Sequence, residues 1–451
     1  MAGIGWKLER MLDRDTLGST LQAYLAGVAV TCAPWLLTTA VLVMLRTLAR
    51  ADGADLAPTE LVITLSYAVT LVLSAPVHVV LSRYAADRLY EKRLDLVSRP
   101  LRETLAITLL VFLAIGALLA AICAPSLAYA VPTALLTAIV AAQWLLLAVG
   151  GGMSSPAGVL GAFAAGAAVS VLAAAGLEHS AGLGARGYLF GFTFGQAVAL
   201  VGMLLRILRD LPAQESAAPR GALRDAFKNY RVLAMSALFV QLAVWIDKLC
   251  TWLLRDARAA SSLAIASALA WFAVIPAFAW IYLQVETSFY REFRSYFGGI
   301  KSGAPLDELE DSARRVRAEA TRLIRGAVTI QLVAFVLAAL AAPHVVTLLG
   351  LPGDAVLSLR LALVSASFQI LALLGLLLLY YLDLRREALV AATVELFAIA
   401  AATALALVLG APPALGAAIG SVAPGLAALW FVRRAVRNLV PDTFQTQPYG
   451  R

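Results

Sequence analysis

The chain has 451 residues, of which 61% are hydrophobic and 14% charged, with a formal charge of +8. A soluble domain carries about 25% charged residues, so the composition is that of a membrane protein. The basic residues fall in short loops between apolar runs, the pattern of cytoplasmic loops, which excludes a nucleic-acid binder.

Residues 1–20 read as an N-terminal interfacial helix, with Ile4, Leu8, Met11 and Leu12 on one face and Lys7, Glu9, Arg10, Asp13 and Arg14 elsewhere. Twelve apolar runs long enough to span a bilayer follow: 21–45, 59–82, 104–123, 128–150, 156–177, 186–206, 231–254, 261–285, 324–342, 357–382, 388–410 and 413–432. The first is too long for a signal-peptide core. The expected fold is an all-α integral membrane protein of about twelve transmembrane helices in two six-helix lobes.

The first lobe is expected over 21–206 and a cytoplasmic linker over 207–230, where Pro212 and Pro219 flank small residues. The second lobe follows over 231–432, and a cytoplasmic tail over 433–451. Pro76 and Pro276 are expected to break the second and eighth spans, and an aromatic, charged helix follows each. Six spans per half makes the halves parallel repeats about an axis normal to the membrane.

Within 286–325, Leu306, Leu309, Ala313, Val316, Ala320 and Leu323 form one apolar stripe. Acids in its first turns and bases in its later ones suit the helix dipole and allow Glu310–Arg314 and Asp311–Arg315 pairs. This amphipathic helix fits lipid headgroups or a cytoplasmic partner. Of the 36 basic residues, 29 fall on one side of this layout, six on the other, and Lys248 lies in a span. That bias places both termini in the cytoplasm.

Gly158, Ala162, Gly166 and Ser170 in span five, and Gly187, Gly191, Gly195 and Ala199 in span six, put small residues at every fourth position. Such faces let helix backbones approach closely. Gly416 and Gly420 repeat the pattern in the last span.

The stretch Gln241–Trp252 carries Asp247 and Lys248 inside an apolar run, beside Trp245. Ionised groups at such depth cost about 2.5–3.5 kcal/mol on insertion scales, so they face protein or water. They mark a functional site, or Lys248 snorkels outward and Asp247 has a structural partner. Glu395 sits about two turns into its span, too far from Asp247 to pair with it but able to line the same path. Arg360 is the candidate counter-ion of Asp247, and Glu286 lies at the inner mouth of span eight. His78 either titrates near neutral pH or satisfies a backbone carbonyl.

Catalytic signatures are absent: no nucleophile elbow, phosphate loop or zinc-protease motif occurs, and three scattered histidines do not make a metal site. No catalytic residue, cofactor or metal is expected. Asp52 and Asp55 would suit a membrane glycosyltransferase, but no extended loop is present to build a sugar site.

The opening Met1-Ala-Gly-Ile-Gly-Trp-Lys-Leu-Glu-Arg-Met-Leu12, then Ala23-Tyr24 and Pro34-Trp35, resembles the inner-membrane transporters of bacterial Pel exopolysaccharide systems. That family is related to the polysaccharide-transporter branch of the MOP flippase superfamily. Trp245-Ile-Asp-Lys248 and Val285-Glu-Thr-Ser-Phe-Tyr-Arg291 are similar to it as well, although Cys32-Ala33 stands where the family has a small residue and then glycine. The resemblance implies a two-lobed transporter with a central cavity that moves a growing polysaccharide out through the inner membrane. It further implies a cytosolic glycosyltransferase, membrane scaffold proteins and a cyclic-di-GMP receptor as partners. A partly deacetylated amino-sugar polymer would be cationic, which suits Asp247 and Glu395 as contacts. The alternatives from other classes are a non-transporting scaffold for a polysaccharide synthase, or a membrane-embedded glycosyltransferase or acyltransferase.

Overall fold

The computed structural model describes residues 17–124, 126–153, 156–211, 218, 219 and 221–446, and every regular element among them is helical. The expected interfacial helix lies largely outside them, as residues 1–16 are not described. The elements are α1 (Leu17–Ala51), α2 (Ala57–Tyr90), α3 (Ser98–Cys123), α4 (Leu127–Met153), α5 (Pro156–Ala181), α6 (Ala185–Asp210), α7 (Ala222–Asn229) and α8 (Arg231–Leu254). Then come α9 (Ala257–Phe272), α10 (Ile275–Gln284), α11 (Tyr290–Ser302), α12 (Leu306–Leu348), α13 (Ala355–Tyr381), α14 (Arg385–Val408), α15 (Pro413–Arg437) and α16 (Leu439–Thr446). Among the described residues, ten helices are apolar and long enough to cross a membrane, and a pair bent by 49°, Arg258–Phe272 with Ile275–Ser302, passes the same test together, an eleventh if the two count as one span. The 35-residue α1 carries the first apolar run and brings the layout to the twelve expected.

The described residues form two compact units, one within Cys32–Leu238 and one within Phe239–Arg451 together with 17–31. In the first, α5 and α6 are the most closely apposed helices, and small residues explain it. A Cβ at Gly166 would stand 2.6 Å from the Gly195 carbonyl oxygen, and one at Gly191 or Gly195 would overlap Ala174 or Ser170. Gly158 lies under the Arg206 side chain and Gly187 beside Leu183, looser contacts than the other three. In the second unit, Gly416 and Gly420 of α15 meet Thr403 and Ile399 of α14 in the same way.

The two prolines behave differently. Pro276 opens the first turn of α10 after a break at residues 273–274, where its missing N–H costs nothing. Pro76 breaks nothing: α2 runs through it for 34 residues. Packing neighbours hold a membrane helix together across such a position.

Two helices reach into the described residues of the segment 207–230. α6 continues to Asp210, and α7 occupies Ala222–Asn229. Tyr230 after it donates a hydrogen bond to Asp87 of α2, and burial together with that carboxylate pushes its phenol pKa up. Between these elements lies a cavity of about 290 Å³ lined by Tyr84, Asp87, Arg88, Asp225 and Tyr230, among others.

The amphipathic segment also departs from expectation. It is the first half of α12, 43 residues and roughly 65 Å long at 1.5 Å per residue. Its stripe rests on the chain itself. Leu309, Ala313, Val316, Ala320 and Leu323 are buried in one core with Phe289, Tyr296, Val436 and Leu439, and only Leu306 is exposed. The Arg317 guanidinium donates to the Val436 and Arg437 carbonyls, the latter at 2.8 Å, and the Tyr296 hydroxyl lies 3.3 Å from Thr443 Oγ1. α15 and α16 therefore occupy the segment read as a tail, and no stripe is left for lipid or partner. The expected ion pairs shift too. Arg314 pairs with Asp311, one residue closer than Glu310, and Arg315 reaches across to Glu292 of α11 at 3.1 Å.

Candidate functional site

The second unit buries three carboxylates in its apolar helices. On α8, Ala243, Asp247 and Thr251 repeat every fourth residue and so share one face, with exposures of 0, 2 and 0%. Thr251 donates back to the Asp247 carbonyl at 2.7 Å, which keeps its hydroxyl satisfied within the helix.

Asp247 Oδ1 lies 3.0 Å from Lys248 Nζ. Neighbouring residues on a helix point about 100° apart, so the long lysine arm folds back, donating to the Val244 carbonyl at 2.9 Å and passing 6.0 Å from the centre of the Trp245 ring. Trp245 Nε1 is buried with no hydrogen-bond partner among the described residues. Arg360 is not the counter-ion. It is exposed and donates to the Ala339 carbonyl at 3.2 Å. Adjacent helical positions face apart, so spacing alone does not mark Lys248 as the ion-pair partner.

On α14, Glu395, Ile399 and Thr403 likewise form one face, exposed 4, 0 and 0%. Ala243 packs against Leu396 and Ile399, so α8 and α14 touch there. Asp247 lies one turn beyond Ala243, and Glu395 one turn before Ile399, each about 6 Å along its helix from the contact. Glu395 has no hydrogen bond or ion pair among the described residues, and Thr403 Oγ1 is buried without one. Thr403 bore no sequence signal beyond its spacing from Glu395.

Glu286 lies in a single π-helical turn, Val285–Phe289, that joins α10 to α11, and is 7% exposed. Such turns recur at functional positions because the extra residue widens the helix locally. The Tyr381 hydroxyl at the end of α13 is 3.4 Å from Glu286 Oε1. Tyr381 was not foreseen, since nothing in its sequence neighbourhood marks it.

Chemically, these groups suit a passing cation or a chain of hydrogen-bonding groups. No cluster of three metal-binding side chains occurs among the described residues. The acids considered for glycosyl transfer have structural work instead: Asp52 accepts from the Tyr188 hydroxyl, and Asp55 from the Ala57 N–H at 3.0 Å.

Solved structures share this architecture. An inward-facing multidrug resistance MATE family transporter of the MOP superfamily aligns with a TM-score of 0.63 at 14% identity, over 94% of this chain and 96% of that one. Its outward-facing counterpart gives 0.64 at 15%, over 92% and 96%. A MOP superfamily transporter from Pyrococcus furiosus, whose reversed binding-pocket polarity suggests a different function, gives 0.62 at 14%, over 92% and 96%. At such identity the likeness establishes the fold, that of two-lobed MOP transporters with about twelve helices. No curated protein matches by sequence. Residues 1–444 match the PelG family, described as "Putative exopolysaccharide Exporter (EPS-E)". Family and fold indicate a transporter rather than an enzyme, and with the match spanning nearly the whole sequence, the chain belongs to the PelG family of exopolysaccharide exporters.

Proposed function

We propose that this protein carries a growing, partly deacetylated amino-sugar polymer of the Pel type outward across the bacterial inner membrane, and that Asp247, Glu395 and Glu286 contact its ammonium groups. The observation that carries this reading is Glu395, a carboxylate buried in a membrane helix with no partner among the described residues. An intramembrane acid is costly, and a cationic cargo gives it a partner in use. Lys248 holds Asp247 at rest, and a substrate ammonium takes its place during passage. Trp245 lies beside the pair, and Arg360, at the outer end of α13, lines the exit. The polymer comes from a cytosolic glycosyltransferase, assembled with membrane scaffold and cyclic-di-GMP receptor subunits. Both termini are cytoplasmic.

The test is polymer export in cells carrying Asp247→Asn or Glu395→Gln, with membrane level measured alongside. Each acid that accepts from an ammonium contributes a charge-assisted hydrogen bond of about 1.5–3 kcal/mol, so export falls roughly tenfold or more at normal protein level. Normal export in both variants would end this reading.

A further inference from the structure

Two polar rows run along α2 in the first unit. Thr59, Ser66 and Thr70 form one, all with no exposed surface and all satisfied by the chain. Thr59 donates to the Ala185 carbonyl at 2.8 Å, Thr70 to the Ser66 carbonyl at 2.7 Å, and Ser66 Oγ lies 3.2 Å from Thr137 Oγ1, within hydrogen-bond reach. Tyr67, Ser74 and His78 repeat the same spacing and lie about 80° around the helix at 3.6 residues per turn. In this second row Tyr67 Oη, Ser74 Oγ and His78 Nδ1 are all buried and without a hydrogen bond among the described residues. Ser74 is only 2% exposed. The Tyr67 phenol has Thr38 of α1 as a neighbour, whose hydroxyl gives its own proton to the Pro34 carbonyl at 2.8 Å and keeps its oxygen as an acceptor.

One helix thus satisfies one polar row completely and leaves the buried polar atoms of the next one unbonded over roughly 16 Å of its length. Within a membrane, unmatched polar groups are tolerated where they line a path for water or a polar ligand. The unbonded row has no carboxylate, lysine or arginine, so it does not suit an ion. It offers a phenol, a hydroxyl and an imidazole, each able to donate or accept. Beside it the Trp144 ring meets Tyr67 edge-on at 6.3 Å and supplies an apolar face. Neutral donors and acceptors beside aromatic rings match a sugar, whose hydroxyl and acetamido groups need hydrogen bonds and whose C–H face needs an apolar surface. Resting on the export reading above, we infer that Tyr67, Ser74 and His78 form a neutral saccharide track in the first unit, which takes the N-acetylated, uncharged residues of the polymer.

The test uses the full-length protein in membrane vesicles with Cys32, Cys123 and Cys250 replaced by alanine. Ser74→Cys, His78→Cys and, as the control from the satisfied row, Thr70→Cys are labelled with a hydrophilic maleimide, with and without an N-acetylhexosamine oligosaccharide. Positions 74 and 78 are expected to label and position 70 to stay unreactive. Saccharide at about ten times its Kd should slow labelling at 74 and 78 roughly tenfold. Labelling that ignores the saccharide, or thiols at 74 and 78 as inert as the one at 70, would overturn the track. Protection at position 74 with export indifferent to Asp247 and Glu395 would retire the acidic path alone. Acid-dependent export without protection would retire the saccharide track alone.

Discussion

Asp247 and Glu395 are both buried acids in membrane helices, yet their surroundings differ in a way that stability can read. Asp247 has Lys248 at 3.0 Å, whereas Glu395 has no partner among the described residues. Removing one member of a buried pair leaves the other charge uncompensated, so Lys248→Met should destabilise by about 3 kcal/mol. Adding Asp247→Asn to it should restore most of that. Thermal unfolding in detergent compares the two, and equal loss in the single and double variants would mean that the pair contributes nothing. Glu395→Gln has the opposite expectation. It replaces an unpaired buried carboxyl by a neutral isostere, so the midpoint should hold or rise while export falls, the separation that marks a residue kept for function. Both acids were legible in sequence because charge is rare in apolar runs. The partners of Asp247 and of Glu286 were not, since Lys248 reaches Asp247 only by folding back and Tyr381 reaches Glu286 from a helix 95 residues away.

At the level of the helix, spacing predicted contact where backbone meets backbone. The α5–α6 pair rests on Gly166, Gly191 and Gly195, so Gly195→Val must push Ser170 and its helix aside, at a cost of about 1–3 kcal/mol or more. Gly161→Ala and Gly176→Ala, with nothing within 4 Å of the added carbon, should hold or raise the melting temperature, since alanine favours the helix over glycine. Melting temperatures of the three variants decide it, and a neutral Gly195→Val would show that the helices do not need their close approach. Other features escaped the sequence because they depend on what lies opposite. The apolar stripe from Leu309 to Leu323 signalled a surface to be covered, but spacing cannot say whether lipid, a partner or α11 and α16 cover it. Pro76 and Pro276 look alike in sequence, yet only the second coincides with a break. The π turn at Glu286 has no compositional mark at all.

For the whole molecule, hydropathy sufficed to foretell the twelve-span layout, because in lipid an α-helix satisfies its own backbone and few other structures can. Hydropathy is blind to direction, and there the basic residues decide. With 29 of 36 on one side and six on the other, the short loops near Gly303 and Asp383 are expected in the cytoplasm and those near Gly53 and Gly350 in the periplasm. Gly53 and Gly303 stand at turns with positive φ and nothing within 4 Å of an added Cβ, which suits them as insertion points. An alkaline phosphatase inserted at Gly53 or Gly350 should be active, since it folds only outside the cytoplasm, and the same enzyme at Gly303 or Asp383 silent. The reverse pattern would turn the molecule over. The basic face of α12, with Arg314, Arg322 and their neighbours, would then meet the periplasm. A cytosolic glycosyltransferase could no longer feed the polymer from that side.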